Sequence, residues 1–299
     1  MAKIDIGGQA VIEGVMMRAP SSLVVAVRRQ DDSIILKRDD IKLDRNKLLK
    51  KPVLRGLIAL YDALILGIRA LNFSAYHSSG EGEEQVSKFG LFISMVMGLG
   101  LGLLLFVYLP LQITDLFKHV VPAIETSSLL YNAVDGVIRV IFFVLYVWII
   151  SFMSDIKRVF QYHGAEHMAI YTFEKGEELT VENARKNPRL HPRCGTSFII
   201  IVMLVCIFVF SFIPNDAHFV IKFGARIVFI PLIAGISYEI LKFSGRHCNH
   251  PLLKILITPG LWVQKITTRE PDDKQLEVAL ISIRAALGKE LPEEGIEVV

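Results

Sequence analysis

Long apolar runs, basic residues crowded into alternate connections, and a polar N-terminal stretch with β-branched arms predict the fold class. It is a mainly α polytopic membrane protein with about four transmembrane helices, a cytoplasmic N-terminal β-containing region and a cytoplasmic middle loop. Of 299 residues, 52% are hydrophobic, and the mean hydropathy is +0.46. That balance is too apolar for an ordinary soluble chain. A formal charge of +3, with no basic stripe interleaved with aromatics, gives no footprint for a nucleic-acid partner.

The chain divides into an N-terminal region (1–88), a membrane region (89–241) and a C-terminal region (242–299). Met1 to Gly14 carries charges and two glycines rather than a signal-peptide core. Ala10 to Met17 is expected to form a strand with Glu13 inside it. Leu23 to Arg29 and Ser33 to Arg38 flank Gln30-Asp31-Asp32 and read as a hairpin. Pro52 to Phe73 has apolar residues at helical spacing, with Arg55, Asp62 and Arg69 spread between them. It is expected to lie on the cytoplasmic membrane surface rather than to span.

Phe89 to Ile113 carries no charge and is the clearest span. Val134 to Ser154 holds Asp135 and Arg139 near its start and is then apolar through Trp148. Thr196 to Ile213 is uncharged and just long enough. Phe223 to Leu241 has Arg226 and Glu239 near its ends and Pro231 in the middle, so a re-entrant segment is its alternative. The connection Asp155 to Gly195 holds Lys157, Arg158, Lys175, Arg185, Lys186, Arg189 and Arg193. The connections on either side hold only Lys118 and Lys222. The positive-inside rule puts both termini and the middle loop in the cytoplasm.

Pro251 to Ile266 is expected to be a second interfacial segment, broken at Pro259-Gly260. Asp272 to Leu287 is an amphipathic helix stopped by Gly288, and Pro292 to Val299 a frayed tail. Cys194, Cys206 and Cys248 form no C-x-x-C pair, which favours a reducing compartment, and Cys206 sits in an apolar run as packing.

The chemistry concentrates at His163-Gly164-Ala165-Glu166-His167, an H-x-x-E-H pattern. On a helix, His163 and His167 share a face and can offer two imidazoles to one divalent cation, zinc being the first choice. Glu166 is placed to act as general base on water. Gly164 weakens the helix locally. Zinc needs at least one more protein ligand, for which His191, Glu239 and His247 lead. Glu239 is favoured because a carboxylate in an apolar span is costly unless paired or coordinating. Its other reading is a Glu paired with Lys242 or Arg246.

The predicted topology gathers His163, His167, His191, Glu239, His247, Cys248 and His250 at one membrane face. Arg193 and Arg18 are candidates for an anionic group, and Glu13 for a ligand or acid/base. Cys194 could serve as a soft ligand or nucleophile, although packing at the start of a helix is the favoured reading. A C-x5-R phosphatase loop is excluded, since Ile200 stands at the Arg position. His247-Cys248-Asn249-His250 is a weak cluster, better read as surface histidines.

The runs GGQAVIEGVMMR (Gly7 to Arg18), YHGAEHMAIYTFE (Tyr162 to Glu174), RLHPRCGTSF (Arg189 to Phe198) and GISYEILKFSGRH (Gly235 to His247) resemble the YqhQ-like family of bacterial membrane proteins. That family is a domain of unknown function, number 1385. The resemblance covers nearly the whole chain. It implies a multi-pass protein of the bacterial inner membrane and a predicted metal-dependent enzyme, and it raises Glu13, His191, Cys194 and Glu239 as candidates. It supplies no substrate. Met168 stands where such proteins lead one to expect Lys, a change that touches no proposed ligand.

Together these readings predict a metal-dependent hydrolase at the cytoplasmic face, with catalytic Glu166, Arg193 and Glu13 and metal ligands His163, His167, Glu239 and His191. Peptide-bond hydrolysis is the first expectation, and an amphiphilic or lipid-linked small substrate fits the location equally. The alternative is a non-enzymatic scaffold, or a metal-sensing or transport-associated protein with a structural metal. Spans nearly free of polar residues count against a pore.

Overall fold

The computed structural model describes residues 6–41, 51–78, 87–246, 251–291 and 295–299. Five strands form one sheet: β1 (Gly7–Val11), β2 (Gly14–Arg18), β3 (Ser22–Arg28), β4 (Ile34–Asp40) and β5 (Ile296–Val298). The helices follow as α1 (Leu54–Ser78), α2 (Lys88–Leu103), α3 (Leu109–Val120), α4 (Pro122–Thr126), α5 (Ser128–Ile150), α6 (Ser154–Lys175), α7 (Val181–Arg185), α8 (Gly195–Phe210), α9 (Phe219–Val228), α10 (Ile230–Arg246), α11 (Pro251–Thr267) and α12 (Asp273–Ala286). A π-helical turn, Leu104–Tyr108, joins α2 to α3.

β1 to β4 are antiparallel in chain order, and β5 runs parallel to β4. The predicted hairpin is present as β3–β4. Two expectations are corrected. The single strand at Ala10 to Met17 is two strands, turning at Ile12-Glu13, where Glu13 takes φ 51°. A two-residue hairpin loop needs left-handed backbone, which a non-glycine sequence does not advertise. Among the described residues the tail is not frayed, since Ile296–Val298 form β5. Ile34 N–H donates to Gly295 O at 2.9 Å and Val299 N–H to Leu36 O at 2.8 Å.

Helices cover both faces of the sheet. Val11, Met16, Leu23, Val25, Val27 and Ile35 face α1 around Ala70. Met17, Val24, Ala26 and Leu36 face α6 and α12 through residues such as Tyr162, Ala165, Leu276 and Ile283. β3 is therefore buried on both sides, which is why it reads as an unbroken apolar run. Each fully buried Val, Leu or Ile contributes about 1.5–3 kcal/mol. α12 starts with a capping box. Asp272 accepts from Gln275 N–H at 2.8 Å, and the Gln275 side chain accepts from Asp272 N–H at 3.0 Å.

Among the described residues, two helices are long and apolar enough to cross a membrane, Phe92–Val120 and Ser128–Ile150. α8 is apolar but has 16 residues, about 24 Å at 1.5 Å per residue. α9 and α10 meet at a 46° bend. Pro231, just past the break, has no N–H to donate and crowds the carbonyl one turn back. α11, by contrast, continues through Pro259. A Cβ on Gly260 would meet Ser197 Oγ at 2.6 Å, so this glycine lets α11 cross the start of α8.

A buried ionic network ties α5 to α9. Arg139 and Arg226 both donate to Asp135 Oδ2, at 2.8 and 3.0 Å. Lys222 Nζ donates to Asp115 Oδ1 at 2.6 Å and to Tyr131 OH at 3.0 Å.

Candidate metal centre

α6 carries the H-x-x-E-H run without a break at Gly164. A Cβ there would sit 2.2 Å from Arg269 O, and Arg269 N–H donates to Phe160 O at 2.8 Å. The glycine is thus a crossing point for the segment that leads into α12, not a weak spot.

His163 and His167 are held alike. His163 Nδ1 lies 2.9 Å from Thr267 O, and His167 Nδ1 lies 2.6 Å from Arg189 O. A carbonyl only accepts, so each Nδ1 carries its proton and each Nε2 keeps a lone pair. His163 Nε2 is 3.0 Å from Cys194 Sγ, while His167 Nε2 is buried and has no hydrogen-bond partner. His163, His167 and Cys194 each bring one donor atom to within 4.8 Å of the others. Tetrahedral zinc, with bonds of about 2.0–2.3 Å, sets its ligands about 3.3–3.7 Å apart. The three residues fit such an ion with small side-chain movement. Burial pushes the His167 pKa down, against a smaller upward pull from Cys194. Burial therefore favours the neutral form that ligates.

Cys194 stands at the N-cap of α8, directly after the bend His191-Pro192-Arg193. Sequence reading favoured packing for this residue, yet it supplies the third donor. The signal was the dense polar run ahead of an apolar helix, which sets its last side chain at the helix mouth.

Glu166 is buried against β1, with its carboxyl facing the amide of Gly8. A Cβ on Gly8 would come within 2.9 Å of Glu166 Oε1. Burial raises the Glu166 pKa, opposed by His163, His191 and the Gly8 amide. Its Oε2 lies 4.0 Å from His163 Nε2. A carboxylate so placed can exchange a proton inside the cleft.

His191 reaches the same cleft but stands outside the group of convergent donors. Its Nδ1 accepts from Arg193 N–H at 3.3 Å, so the proton sits on Nε2, which has no hydrogen-bond partner and lies 3.6 Å from Glu174 Oε2. Burial pushes its pKa down to about 4. It is a neutral N–H donor. Arg193, at the rim, is bound by Glu174, a residue the sequence did not single out.

Three predicted site residues lie elsewhere. Glu239 is gripped by Arg55, whose Nε and Nη2 donate to its two carboxylate oxygens, and accepts from Val53 N–H at 3.3 Å. The carboxylate is paired, as its apolar setting demands, with Arg55 of α1, and Lys242 adds a weaker favourable charge. Glu13, at the β1–β2 turn, pairs with Arg158 and accepts from Tyr162 OH at 3.3 Å. Arg18 faces Asp62 at 4.0 Å in a separate groove between the sheet and α1. His247, Cys248 and His250 lie outside the described residues.

The cleft encloses about 440 Å³ and is walled by α6, the start of α8, α1 at Ala63 and β1. That is within the range of about 300–1,000 Å³ usual for small-ligand sites.

Over 300 aligned residues the chain is 37% identical to "Uncharacterized protein YqhQ" of Bacillus subtilis (strain 168), covering 94% of this chain and 92% of that one. No solved structure is matched. The family model described as "Protein of unknown function (DUF1385)" matches residues 51–289, and the chain belongs to that family.

Proposed function

We propose that this chain is a metal-dependent hydrolase, peptidase-like and zinc-type by its donor set, working at the cytoplasmic face of the bacterial inner membrane. One observation carries the reading. Both histidines fix their Nδ1 protons on backbone carbonyls, and their Nε2 lone pairs converge with the Cys194 sulfur. Second-sphere carbonyls of this kind are the usual support of metal-bound imidazole. Three protein donors leave a fourth position open, the arrangement of catalytic rather than structural zinc.

A divalent cation held there supplies Lewis acidity for hydrolysis. Glu166 takes a proton from the attacking water and passes it to the leaving nitrogen or oxygen. The acyl carbon gains the water oxygen as the scissile bond breaks. His191 Nε2–H donates to the developing oxyanion. Arg193, steadied by Glu174, holds anionic groups at the cleft mouth.

Parity supports a four-span topology. The sheet, α1, α6 and α12 form one packed body. The chain must therefore return to its starting side between β4 and α6, and again between α6 and α12. The helices Phe92–Val120 and Ser128–Ile150 satisfy the first return. In the second, α8 and the bent α9–α10 pair cross together or not at all. The uncharged length of α8 favours crossing. The basic residues around α6 and α7 favour the cytoplasm for the packed body.

Elemental mass spectrometry of the detergent-purified protein tests the reading. Near one zinc per chain is expected, falling to background in a folded His163→Ala/His167→Ala variant. Metal-free protein after incubation with zinc, manganese and iron salts would sink it.

A specific observation favours one second reading, a metal-free thiol nucleophile. Cys194 Sγ is 3.0 Å from His163 Nε2, and Thr267 O orients the ring from behind. Hydrolysis that survives a chelator and is abolished by Cys194 alkylation would select it.

A further inference from the structure

The cleft has one wall of a kind that sets its substrate class. β1 stands at the edge of the sheet, and among the described residues no strand pairs with its outer side. Ile6, Gly7, Gly8, Gln9 and Ala10 line the cleft that holds His163, Glu166 and His167.

The register identifies which backbone groups face outward. Val11 and Gly14 close the two-residue hairpin, so they form a hydrogen-bonded pair. Pairing then alternates along an antiparallel ladder. Gln9 and Gly7 bond inward to Met16 and Arg18, while Gly8 and Ala10 point their N–H and C=O groups away from β2. The facing of the Gly8 amide and the Glu166 carboxyl agrees with this phase. Glu166 is thereby held at the strand edge itself. The Ala10 N–H and the carbonyls of Gly8 and Ala10 remain directed into the cleft.

We propose that β1 is a substrate-docking edge, on which an extended polypeptide segment adds as a sixth strand. This rests on the hydrolase reading and deepens it. Outward groups two residues apart, about 7 Å, match alternate residues of an extended chain. A chain docked there runs past Glu166 and the His163–His167–Cys194 cluster, which brings a backbone amide to the reacting groups. Ala63, Val159, Ile170 and Ile199, which also line the cleft, are apolar and select apolar side chains. A lipid acyl chain would cover these side chains but leave the amide and carbonyls of the edge unpaired, a cost of about 1–3 kcal/mol for each group shut off from water.

The test uses the full-length Glu166→Gln protein, so that bound peptide is not cut, loaded with zinc in detergent. The probe is a mixed library of end-capped nonapeptides, with retained peptides read by mass spectrometry. A second library is N-methylated at every other residue, which removes strand pairing without altering the protein. We expect retention of apolar peptides from the first library and at least a tenfold lower retention from the second. Adding Ala10→Pro removes an outward N–H and no ladder bond, and is expected to lower retention tenfold with zinc content and melting temperature kept. Equal retention of the methylated library, or a folded proline variant that binds as well, would overturn the proposal. Zinc measured on the same samples separates the two readings. Peptide held by zinc-free protein would keep the docking edge and remove the metal-dependent hydrolase. Zinc-loaded protein that holds no peptide would overturn the docking edge alone.

Discussion

Two buried polar clusters, one on α5 and α9 and the other on α6 and the start of α8, use their polar atoms differently. On α5 and α9, Arg139, Arg226 and Lys222 each reach a carboxylate oxygen within 3.0 Å. Three of their atoms remain unbonded, Asp135 Oδ1 and the two Nε protons of the arginines. Those arginines' charge is already answered by Asp135 Oδ2. In the cleft, by contrast, the Nε2 lone pairs of His163 and His167 converge with the Cys194 sulfur, and His167 Nε2 has no hydrogen-bond partner. A cation needs convergent lone pairs. The comparison teaches that burial alone does not mark a reactive site. What marks it is which electrons are left over, and whether they share a point.

The contrast can be broken experimentally. The largest expected effect is on turnover. Once a cleaved peptide is in hand, Glu166→Gln should lower its hydrolysis by about 10²–10⁴-fold while bound zinc stays unchanged. Loss of zinc instead would make Glu166 a ligand. Next comes Asp135→Ala, which strands two buried guanidinium groups and should cost about 3–5 kcal/mol. Thermal unfolding in detergent reads that loss, and zinc per folded chain should be unaffected. If zinc falls too, the clusters are coupled and the contrast fails. Gly164→Ala is smaller. Its Cβ would meet Arg269 O at 2.2 Å, and relieving that contact should cost about 1–3 kcal/mol. Because Arg269 follows two residues after Thr267, whose carbonyl holds His163 Nδ1, weaker zinc binding should accompany the loss. Least affected should be Lys274→Ala, which removes an exposed pair with Asp32 and should leave the melting curve unchanged.

Much of the site was legible because it is local. His163, Glu166 and His167 need only helical periodicity to share a face, and α6 supplies it. Glu239 misled because the cost of a carboxylate in an apolar helix was rightly recognised, while its partner Arg55 is 184 residues away in the sequence. Charge pairing at that distance has no local signature. His191 was placed correctly in space, but its role turned on a tautomer set by the Arg193 amide, which no residue pattern encodes. In the fold, β3–β4 and α12 declared themselves through alternation and amphipathicity. The β1–β2 turn did not, because Glu13 holds a left-handed backbone without glycine or asparagine. β5 did not either, because three residues gain strand character only from the neighbour they join.

That last strand has a consequence for how the chain is made. β1 to β4 leave the ribosome well before the helix that seals one face of their sheet, α12, and the strand that completes its edge. Between Asp40 and Asp273, more than two hundred residues must be translated, at about 5–20 residues per second. For roughly ten seconds to most of a minute that face of the nascent sheet lacks its α12 cover. A folding chaperone has that interval in which to shield it.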